Sequence, residues 1–278
     1  MVADDDIYPP PLLELHDPPP SLFCLGDLSL LLAPSVAIVG TRRATPYGER
    51  VTRDLAGAFA RAGIAVVSGL ARGVDAIAHR ATLEAGGRTA AVLGTGLDVV
   101  YPLAHRSLQA EIARTGLLVS EEPPGSRATT SAFPKRNRII AAIAKATIVV
   151  EAPLRSGALI TAEHATDLHR TVAAVPGPVD SPQSAGSNLL LRDGANVITS
   201  IADALFIMGI SAPASSAPEP RTPAERRVLD VLALGPAALD SLAALSGLPT
   251  RDCLAAVTTL ELRGAVVCDL TGEVRAGR

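Results

Sequence analysis

The sequence predicts an α/β fold: a doubly wound, mostly parallel sheet followed by a small C-terminal module that resembles a winged helix-turn-helix. From residue 35 onward, apolar runs of strand length alternate with helical stretches, the pattern of a parallel sheet with helices on both faces. The runs are largely apolar, without a regular alternation of polar residues, as expected for strands buried on both sides. A chain of 278 residues, 48% of them hydrophobic, suffices for one sizeable core and a second small domain.

The elements follow in order along the chain. Residues 1–34 are rich in proline and acid and predict an extended lead-in rather than a domain. In the α/β domain, 35–210, Thr45 caps the first helix and Pro46 takes its first position. The predicted strands are 36–39, 64–68, 88–93, 117–120, 147–150 and 171–175, and the intervening helices are 46–62, 74–84, one ending near 116, 134–145 and 158–169. A linker, 211–222, precedes a winged-helix module, 223–278, with helices 223–233, 238–246 and 250–263 and strands 265–268 and 273–276.

Charge is distributed unevenly along the chain. Residues 1–34 contain six acids and no Lys or Arg, whereas residues 35–205 contain 18 basic against 14 acidic residues, a net charge of +4. The cationic segment is the one that holds the Gly-rich turns, which favours a polyanion as its ligand.

Several classes of protein are disfavoured by what the sequence lacks. It has no secretory signal and no run of about 20 apolar residues, so we expect a cytoplasmic location and no membrane partner. The three cysteines, Cys24, Cys253 and Cys268, are scattered and predict reduced thiols without a metal site. Neither a GxGxxG fingerprint nor a GxxxxGK[ST] loop is present, so no nucleotide cofactor is expected.

Three turns with arginine and glycine follow predicted strands. They are Gly40-Thr41-Arg42-Arg43, the run from Ser68 and Gly69 through Arg72 and Gly73 to Asp75, and Arg155-Ser156-Gly157. Because the carboxyl ends of parallel strands share one edge of a sheet, these turns predict a phosphate-binding edge. The alternatives are tight turns with solvated arginines, and a plain N-cap at Ser156. Asp75 and His79, one helical turn apart, are expected to hydrogen-bond to each other.

An aromatic residue adjoins a basic segment at Phe133-Pro134-Lys135-Arg136-Asn137-Arg138. A ring that stacks bases beside arginines that meet phosphates is what single-stranded nucleic acid requires. The alternative is a core Phe133 beside a solvated basic turn. Helical spacing puts Arg138 and Ile139 on different faces of the helix, so the basic groups need not be buried.

In this order and spacing the motifs resemble the DNA-processing protein A (DprA/Smf) family of bacterial natural transformation. The matching text is Val36-Ala-Ile-Val-Gly-Thr-Arg42, Ser68 to Asp75, Gly94-Thr-Gly-Leu-Asp98 with Tyr101-Pro102, Phe133 to Arg138, Ser156-Gly157 with Thr161-Ala162, and Pro176-Gly177. The resemblance implies an extended Rossmann-like domain that binds single-stranded DNA, forms a homodimer, and loads the RecA recombinase onto strands covered by single-strand-binding protein. It implies no turnover.

The resemblance also assigns residues by position. Arg42 matches the family arginine that contacts phosphate, and Phe133 matches the aromatic residue that stacks on a base. The surrounding single-stranded-DNA pocket would comprise Gly40, Thr41, Ser68, Gly69, Arg72, Gly73, Arg136, Asn137, Arg138, Ser156 and Gly157.

Three departures from the family pattern weaken the expected DNA affinity or narrow the expected role. Only about seven residues precede the first Tyr-Pro pair, where many relatives have a helical domain. Relatives often have one basic residue just after the Tyr101-Pro102 pair and another shortly before the Phe133-Pro134 pair. Here Leu103 and Thr130 stand at those places, and Arg106 and Arg127 are the nearest basic residues. The winged-helix module is charge-balanced, so we expect it to serve protein contacts or weak duplex binding.

Two other classes remain as alternatives. A Rossmann-type nucleotide-processing enzyme, such as a phosphoribohydrolase, would use the same phosphate edge for a monomer, but no PGGxGTxxE-like motif is found. A winged-helix transcription factor would require a basic recognition helix, whereas residues 250–263 balance Arg251 and Arg263 against Asp252 and Glu261.

Overall fold

The computed structural model describes residues 1–2, 5, 8–210, 220, 222–269 and 272–276. The chain forms two compact units, Met1–Ser211 and Ala212–Arg278. The predicted linker, 211–222, lies outside the described residues except at positions 220 and 222. No described helix is both long and apolar enough to cross a membrane.

The first unit is a mostly parallel eight-stranded sheet with helices on both faces, which confirms the predicted α/β, Rossmann-like class. The strand order is β1-β5-β4-β3-β2-β6-β7-β8, and β1 alone runs antiparallel to its neighbour. The strands are β1 Phe23–Gly26, β2 Ser35–Val39, β3 Ala65–Ser68, β4 Thr89–Leu93, β5 Leu117–Ser120, β6 Ala146–Val149, β7 Thr171–Ala174 and β8 Asn196–Val197. The α-helices are α1 Pro10–Leu13, α2 Pro46–Arg61, α3 Val74–Glu84, α4 Arg106–Thr115, α5 Ala132–Ile143, α6 Gly157–Asp167, α7 Ala185–Arg192 and α8 Ile201–Ile207, with 3-10 turns at Leu28–Leu31 and Leu103–His105.

Successive side chains of each strand point to opposite sides of the sheet. Both faces are buried because helices cover each of them. In β2, Val36 and Ile38 join the core beneath α2, while Ala37 and Val39 join the core beneath α5 and α6. The predicted cap of α2 is confirmed, since Thr45 Oγ1 accepts a hydrogen bond from Gly48 N at 3.2 Å. These rigid layers fix the loops at the carboxyl end of the sheet.

The prediction that residues 1–34 form an extended lead-in is wrong for the described part of that segment. Leu12, Leu22 and Leu30 are buried in the main core, and β1 pairs with β5 along its whole length. Tyr8 Oη donates a hydrogen bond to the Pro19 carbonyl oxygen at 2.6 Å. The leucines between the prolines supply an apolar face, and β1 covers an otherwise open sheet edge. The segment therefore belongs to the α/β unit.

The second unit has the predicted winged-helix elements around its own core. Its helices are α9 Pro223–Leu232, α10 Leu239–Ser246 and α11 Thr250–Leu262, and its strands are β9 Ala237–Ala238, β10 Val266–Cys268 and β11 Glu273–Ala276. The strands form an antiparallel sheet in the order β10-β11-β9. Arg263 contacts the buried carboxylate of Glu225 at 2.9 Å, so one of the two arginines of the predicted recognition helix is engaged within the unit.

Candidate nucleic-acid interface

Backbone hydrogen bonds join the turn after β2 to the turns after β3 and β6 at the carboxyl edge of the sheet. Thr41 N donates to the Glu151 carbonyl oxygen at 2.6 Å, and Val74 N donates to the Thr41 carbonyl oxygen at 3.2 Å. Gly73 has a φ of +72°, and a Cβ there would lie 2.2 Å from the Thr41 carbonyl oxygen. Only glycine permits this approach. Gly73 therefore allows its backbone to pass close to that of Thr41, and this contact, rather than a phosphate, explains the glycine.

The turn after β3 holds a strained residue in place. Leu70 has a φ of +56°, which is unusual for a bulky residue. The N–H groups on either side of it, those of Gly69 and Ala71, both donate to Asp75 Oδ2. His105 Nδ1 donates to the Leu70 carbonyl oxygen at 3.0 Å, since a carbonyl can only accept. The turn is thus preorganised by groups from two helices.

Phe133 and Arg42 meet at this edge. Phe133 is half-buried in the first turn of α5, which begins at Ala132 rather than at the predicted residue 134. The exposed Arg42 guanidinium lies 5.6 Å from the Phe133 ring centroid, within the range of a cation–π contact. Tyr101 lies on the same ring, with centroids 5.3 Å apart and planes tilted by 32°. A cation and two aromatic rings therefore share one surface.

Two clefts open on either side of these groups. Cleft one, of about 550 Å³, is lined by residues from the turns after β2 and β6, from α5 and the loop before it, and from α6. Among them are Thr41, Thr130, Asn137, Arg155, Ser156 and Thr161. Cleft two, of about 570 Å³, is lined by residues 69–72 and 101–104. Both share a wall made of Arg42, Arg43, Ala71, Tyr101, Phe133 and Arg136. Each cleft is large enough for a ligand the size of a nucleotide.

Most of the predicted site residues line one of these clefts, and three do not. Those that line a cleft are Gly40, Thr41, Arg42, Gly69, Arg72, Phe133, Arg136, Asn137, Ser156 and Gly157. Those that line neither are Ser68, Gly73 and Arg138. Ser68 is fully buried, and its hydroxyl donates to the Ile38 carbonyl oxygen at 2.7 Å, so it is a core residue of the sheet.

Two of the three basic side chains of α5, those of Arg136 and Arg138, are buried, an outcome that helical spacing left open. Arg136 is only 6% exposed, and its Nη1 donates to the carbonyl oxygens of Gly69 and Val92. Its Nε donates to Asn137 Oδ1 at 3.2 Å. Burial lowers the pKa of the Arg136 guanidinium to about 10, and burial raises the pKa of Asp75, which faces it. Arg136 is charged at neutral pH, and its hydrogen bonds are made to the protein's own backbone.

Arg138 is also buried, on the side of α5 that the N-terminal segment covers. Its Nη2 donates to both carboxylate oxygens of Glu121, at 2.9 and 3.0 Å, and lies 3.5 Å from Asp17. Lys135 lies 3.3 Å from the same Glu121 carboxylate. The acidic partners come from the loop after β5 and from residues 1–34, so the burial of Arg138 could not be inferred from α5 alone.

Two further sequence expectations are resolved by hydrogen bonds. Asp75 and His79 do not pair: His79 Nδ1 lies 2.7 Å from Thr89 Oγ1, which itself donates to the Val66 carbonyl oxygen. Ser156 caps α6 by accepting from Ala158 N at 3.3 Å, as its alternative interpretation proposed. It nevertheless lines cleft one.

Sequence reasoning missed several residues of the edge. Tyr101 belonged to a quoted motif but was not assigned a role, and Arg155 was quoted with its turn but left out of the site. Gln183 was not considered, yet its Oε1 accepts from Thr41 Oγ1 at 3.3 Å. An aromatic or basic residue in the loop that follows a predicted strand was the available signal for the first two. Among the residues that the structure describes, no group of three or more His, Cys, Asp or Glu is placed to hold a metal ion.

Comparisons with known proteins agree with the geometry. Residues 1–208 match the family model of DNA recombination-mediator protein A, and residues 212–269 match that of the DprA winged helix domain. A putative DNA processing protein DprA of Mycobacterium tuberculosis is 46% identical over 257 residues, covering 89% of this chain and 66% of the relative. The chain thus spans slightly less than two thirds of that relative. The DNA processing protein DprA of Streptococcus pneumoniae is 44% identical over 201 residues, covering 72% of this chain and 71% of the relative.

Two solved structures share the fold of the first unit. The X-ray structure of DprA from Streptococcus pneumoniae aligns with a TM-score of 0.72 and 43% identity, covering 74% of this chain and 72% of that one. DprA from Helicobacter pylori aligns with a TM-score of 0.66 and 37% identity, covering 72% of this chain and 91% of that one. The latter structure is described as showing a single-stranded-DNA binding mode.

Proposed function

The chain belongs to the DNA recombination-mediator protein A family, and from that premise we propose that it is a non-enzymatic mediator that binds single-stranded DNA. In this role it protects incoming strands during natural transformation and loads the RecA recombinase onto them. The proposed setting is the cytoplasm, and the proposed form is a homodimer.

One observation carries the proposal: an exposed guanidinium lies against a half-buried ring in the wall between two nucleotide-sized clefts. Arg42 supplies the charge and Phe133 the stacking surface, 5.6 Å apart. Single-stranded DNA is bound without sequence preference by this combination of cation and aromatic ring. A related structure, that of DprA from Helicobacter pylori, is described by its single-stranded-DNA binding mode, which supports the same ligand here.

The proposed interface divides its residues between contact and support. Arg42, Arg72 and Arg155 are exposed at the clefts and would meet phosphates. Phe133 would stack a base, and the start of α6 at Ser156 would offer N–H groups to a phosphate. The supporting residues, which hold the turns, are Gly40, Thr41, Gly69, Gly73, Arg136, Asn137 and Gly157. Ser68 and Arg138 are not part of the proposed contact surface.

The carboxylates at this edge support binding rather than turnover. Among the described residues, Asp75 is the one carboxylate that lines either cleft, and it already accepts two backbone N–H groups. The buried Glu151 accepts from Thr45 N at 2.9 Å and from the Thr45 hydroxyl at 2.5 Å. Both carboxylates hold backbone segments of this edge in place, and among the described residues no second carboxylate lines a cleft to pair with Asp75, which weighs against the phosphoribohydrolase alternative.

The experiment is an anisotropy titration with single-stranded and duplex oligonucleotides over a range of salt concentrations, run beside a nucleotide-hydrolysis assay. We expect salt-sensitive, sequence-indifferent binding of single strands and no hydrolysis. Turnover of a mononucleotide, or equal affinity for duplex, would contradict the proposal.

The partners in the proposal rest on family membership. Light scattering tests the homodimer. Transfer of labelled strand from single-strand-binding protein to RecA, followed by fluorescence with and without this protein, tests the loading step. An unchanged transfer rate would remove RecA loading from the account while leaving DNA binding in place.

A further inference from the structure

Cleft two contains an aromatic ring that the proposed function does not use. Tyr101 is 46% exposed, and its ring packs on the side of the shared wall next to Phe133. The part of the lining that belongs to cleft two alone is largely apolar and includes Leu70, Pro102, Leu103 and Ala104. Arg42 and Arg72, both exposed, also line this cleft.

This chemistry fits a nucleobase with its phosphate. A base offers a flat apolar face for stacking, and the phosphate that accompanies it requires a cation within reach. Leu103 is 72% exposed and extends the apolar surface beyond Tyr101. Two aromatic rings, an apolar floor and three exposed guanidinium groups, those of Arg42, Arg43 and Arg72, are thus presented within one cleft of about 570 Å³.

The two walls of cleft two are fixed relative to each other. The loop that carries Tyr101 continues into His105, whose Nδ1 donates to the carbonyl oxygen of Leu70 in the turn that carries Arg72. Gln109 Nε2 donates to the Leu97 carbonyl oxygen at 3.0 Å and ties the same loop to α4. The backbone segments that carry the ring and the cation are therefore held in place before any ligand binds, which reduces the entropy lost on binding. Backbone strain of the kind seen at Leu70 is commonly stored at binding sites.

We propose that cleft two is a second base-binding subsite, in which Tyr101 stacks one base and Arg72 holds its phosphate. A single protomer then holds at least two consecutive nucleotides, one on each side of the shared wall that contains Arg42, Tyr101 and Phe133. The inference rests on the proposed function, because both subsites take the same single strand.

The test is a titration of oligothymidylates of increasing length against the full chain and two variants of Tyr101. Tyr101→Ala should weaken binding of long oligonucleotides ~5- to 100-fold, the range for loss of one stacked base. It should also shorten by about one nucleotide the length at which affinity stops rising, because one subsite per protomer is lost. Tyr101→Phe should bind as the unmodified protein does, since stacking needs the ring and not the hydroxyl. Leu154→Ala, at an exposed apolar residue that lines neither cleft, is the matched control.

A second readout places the base directly. With 2-aminopurine at successive positions of the strand, the unmodified protein should change the fluorescence at two adjacent positions and Tyr101→Ala at one. Circular dichroism and thermal melting should change little in Tyr101→Ala, because Tyr101 lies at the surface, outside the buried core.

The outcomes separate this inference from the proposed function. If Phe133→Ala weakens binding while Tyr101→Ala leaves both affinity and site length unchanged, the second subsite is refuted and the proposed function stands. If the unmodified protein does not bind single strands, the proposed function fails and this inference fails with it.

Discussion

The roles of the arginines can be separated by comparing Arg42→Ala with Arg138→Gln. Both residues belong to the predicted DNA-binding set, but the structure exposes Arg42 at the clefts and buries Arg138 against Glu121. The first change should therefore alter the salt dependence of DNA binding, and the second should alter the stability of the fold.

The magnitude for Arg42 follows from counterion release. One phosphate contact on a single strand contributes about 0.7 to the slope of log affinity against log salt. Arg42→Ala should lower that slope by about 0.7, so a fourfold rise in salt should weaken the variant ~2.6-fold less than the unmodified protein. At low salt, loss of a charge-assisted hydrogen bond of about 1.5–3 kcal/mol should weaken binding roughly 10- to 100-fold.

The magnitude for Arg138 follows from its buried partner. Its side chain is 7% exposed and that of Glu121 is 13% exposed, so removing the guanidinium leaves a largely desolvated carboxylate with Lys135 alone. We expect a loss of about 2–3 kcal/mol in the free energy of unfolding. The melting temperature of the first unit should fall by roughly 4–10 °C, while the salt slope stays unchanged.

The assay is fluorescence anisotropy across salt, with thermal melting on the same preparations. Arg114→Ala is the control, an exposed arginine in the last turn of α4, at the opposite end of the sheet from the clefts. A salt slope that falls equally in Arg138→Gln and Arg42→Ala, with no change in melting temperature for Arg138→Gln, would refute the placement of Arg138.

Three further predictions concern the ring, the turn and a buried imidazole. Phe133→Ala should cost about 1–3 kcal/mol of binding free energy by anisotropy while Phe133→Tyr costs little, and equal losses in both variants would argue against stacking. In denaturant unfolding, Gly73→Ala should destabilise the protein by several kcal/mol more than Gly86→Ala. Both glycines have φ near +73°, but of the two only Gly73 would place a Cβ 2.2 Å from a backbone oxygen, that of Thr41. Similar losses of stability in the two variants would show that the turn relaxes. Burial lowers the pKa of His79 to about 3, below ~6.5 for an unfolded histidine, so the unfolded chain binds a proton that the folded chain does not. The contribution of the buried neutral imidazole to the free energy of unfolding should therefore be fully present above about pH 6.5, and stability should fall by about 2 kcal/mol from pH 7 to pH 5. The variant His79→Gln should show a flatter dependence of stability on pH. A pH dependence unchanged in that variant would contradict the prediction.

The parts of the fold that the sequence predicted are those governed by local pattern. The helix at Val74–Glu84 and the strand at Leu117–Ser120 have the predicted bounds. A continuous apolar run encodes the strand, and a helical stretch that stops at Gly86-Gly87 encodes the helix. The meeting of Arg42 with Phe133 was also within reach, since turns after parallel strands gather at one edge.

The parts that the sequence did not predict depend on partners distant along the chain. Arg136 is buried because the carbonyl oxygens of Gly69 and Val92 are available at the ends of two strands. The N-terminal segment reads as a lead-in by composition, yet its leucines complete the core and its strand covers a sheet edge. Neither the burial of Arg136 nor the packing of residues 1–34 can be predicted from the local sequence alone, because the partners lie elsewhere in the chain.

Photocrosslinking shows whether single-stranded DNA lies across the clefts beside Phe133. Full-length protein bound to oligothymidylate is irradiated, digested, and the crosslinked peptides are identified by mass spectrometry. The account predicts crosslinks in the peptides that carry Phe133 and Tyr101, reduced when Arg42 is replaced by alanine. Crosslinks confined to residues 223–276, in the winged-helix unit, would contradict it.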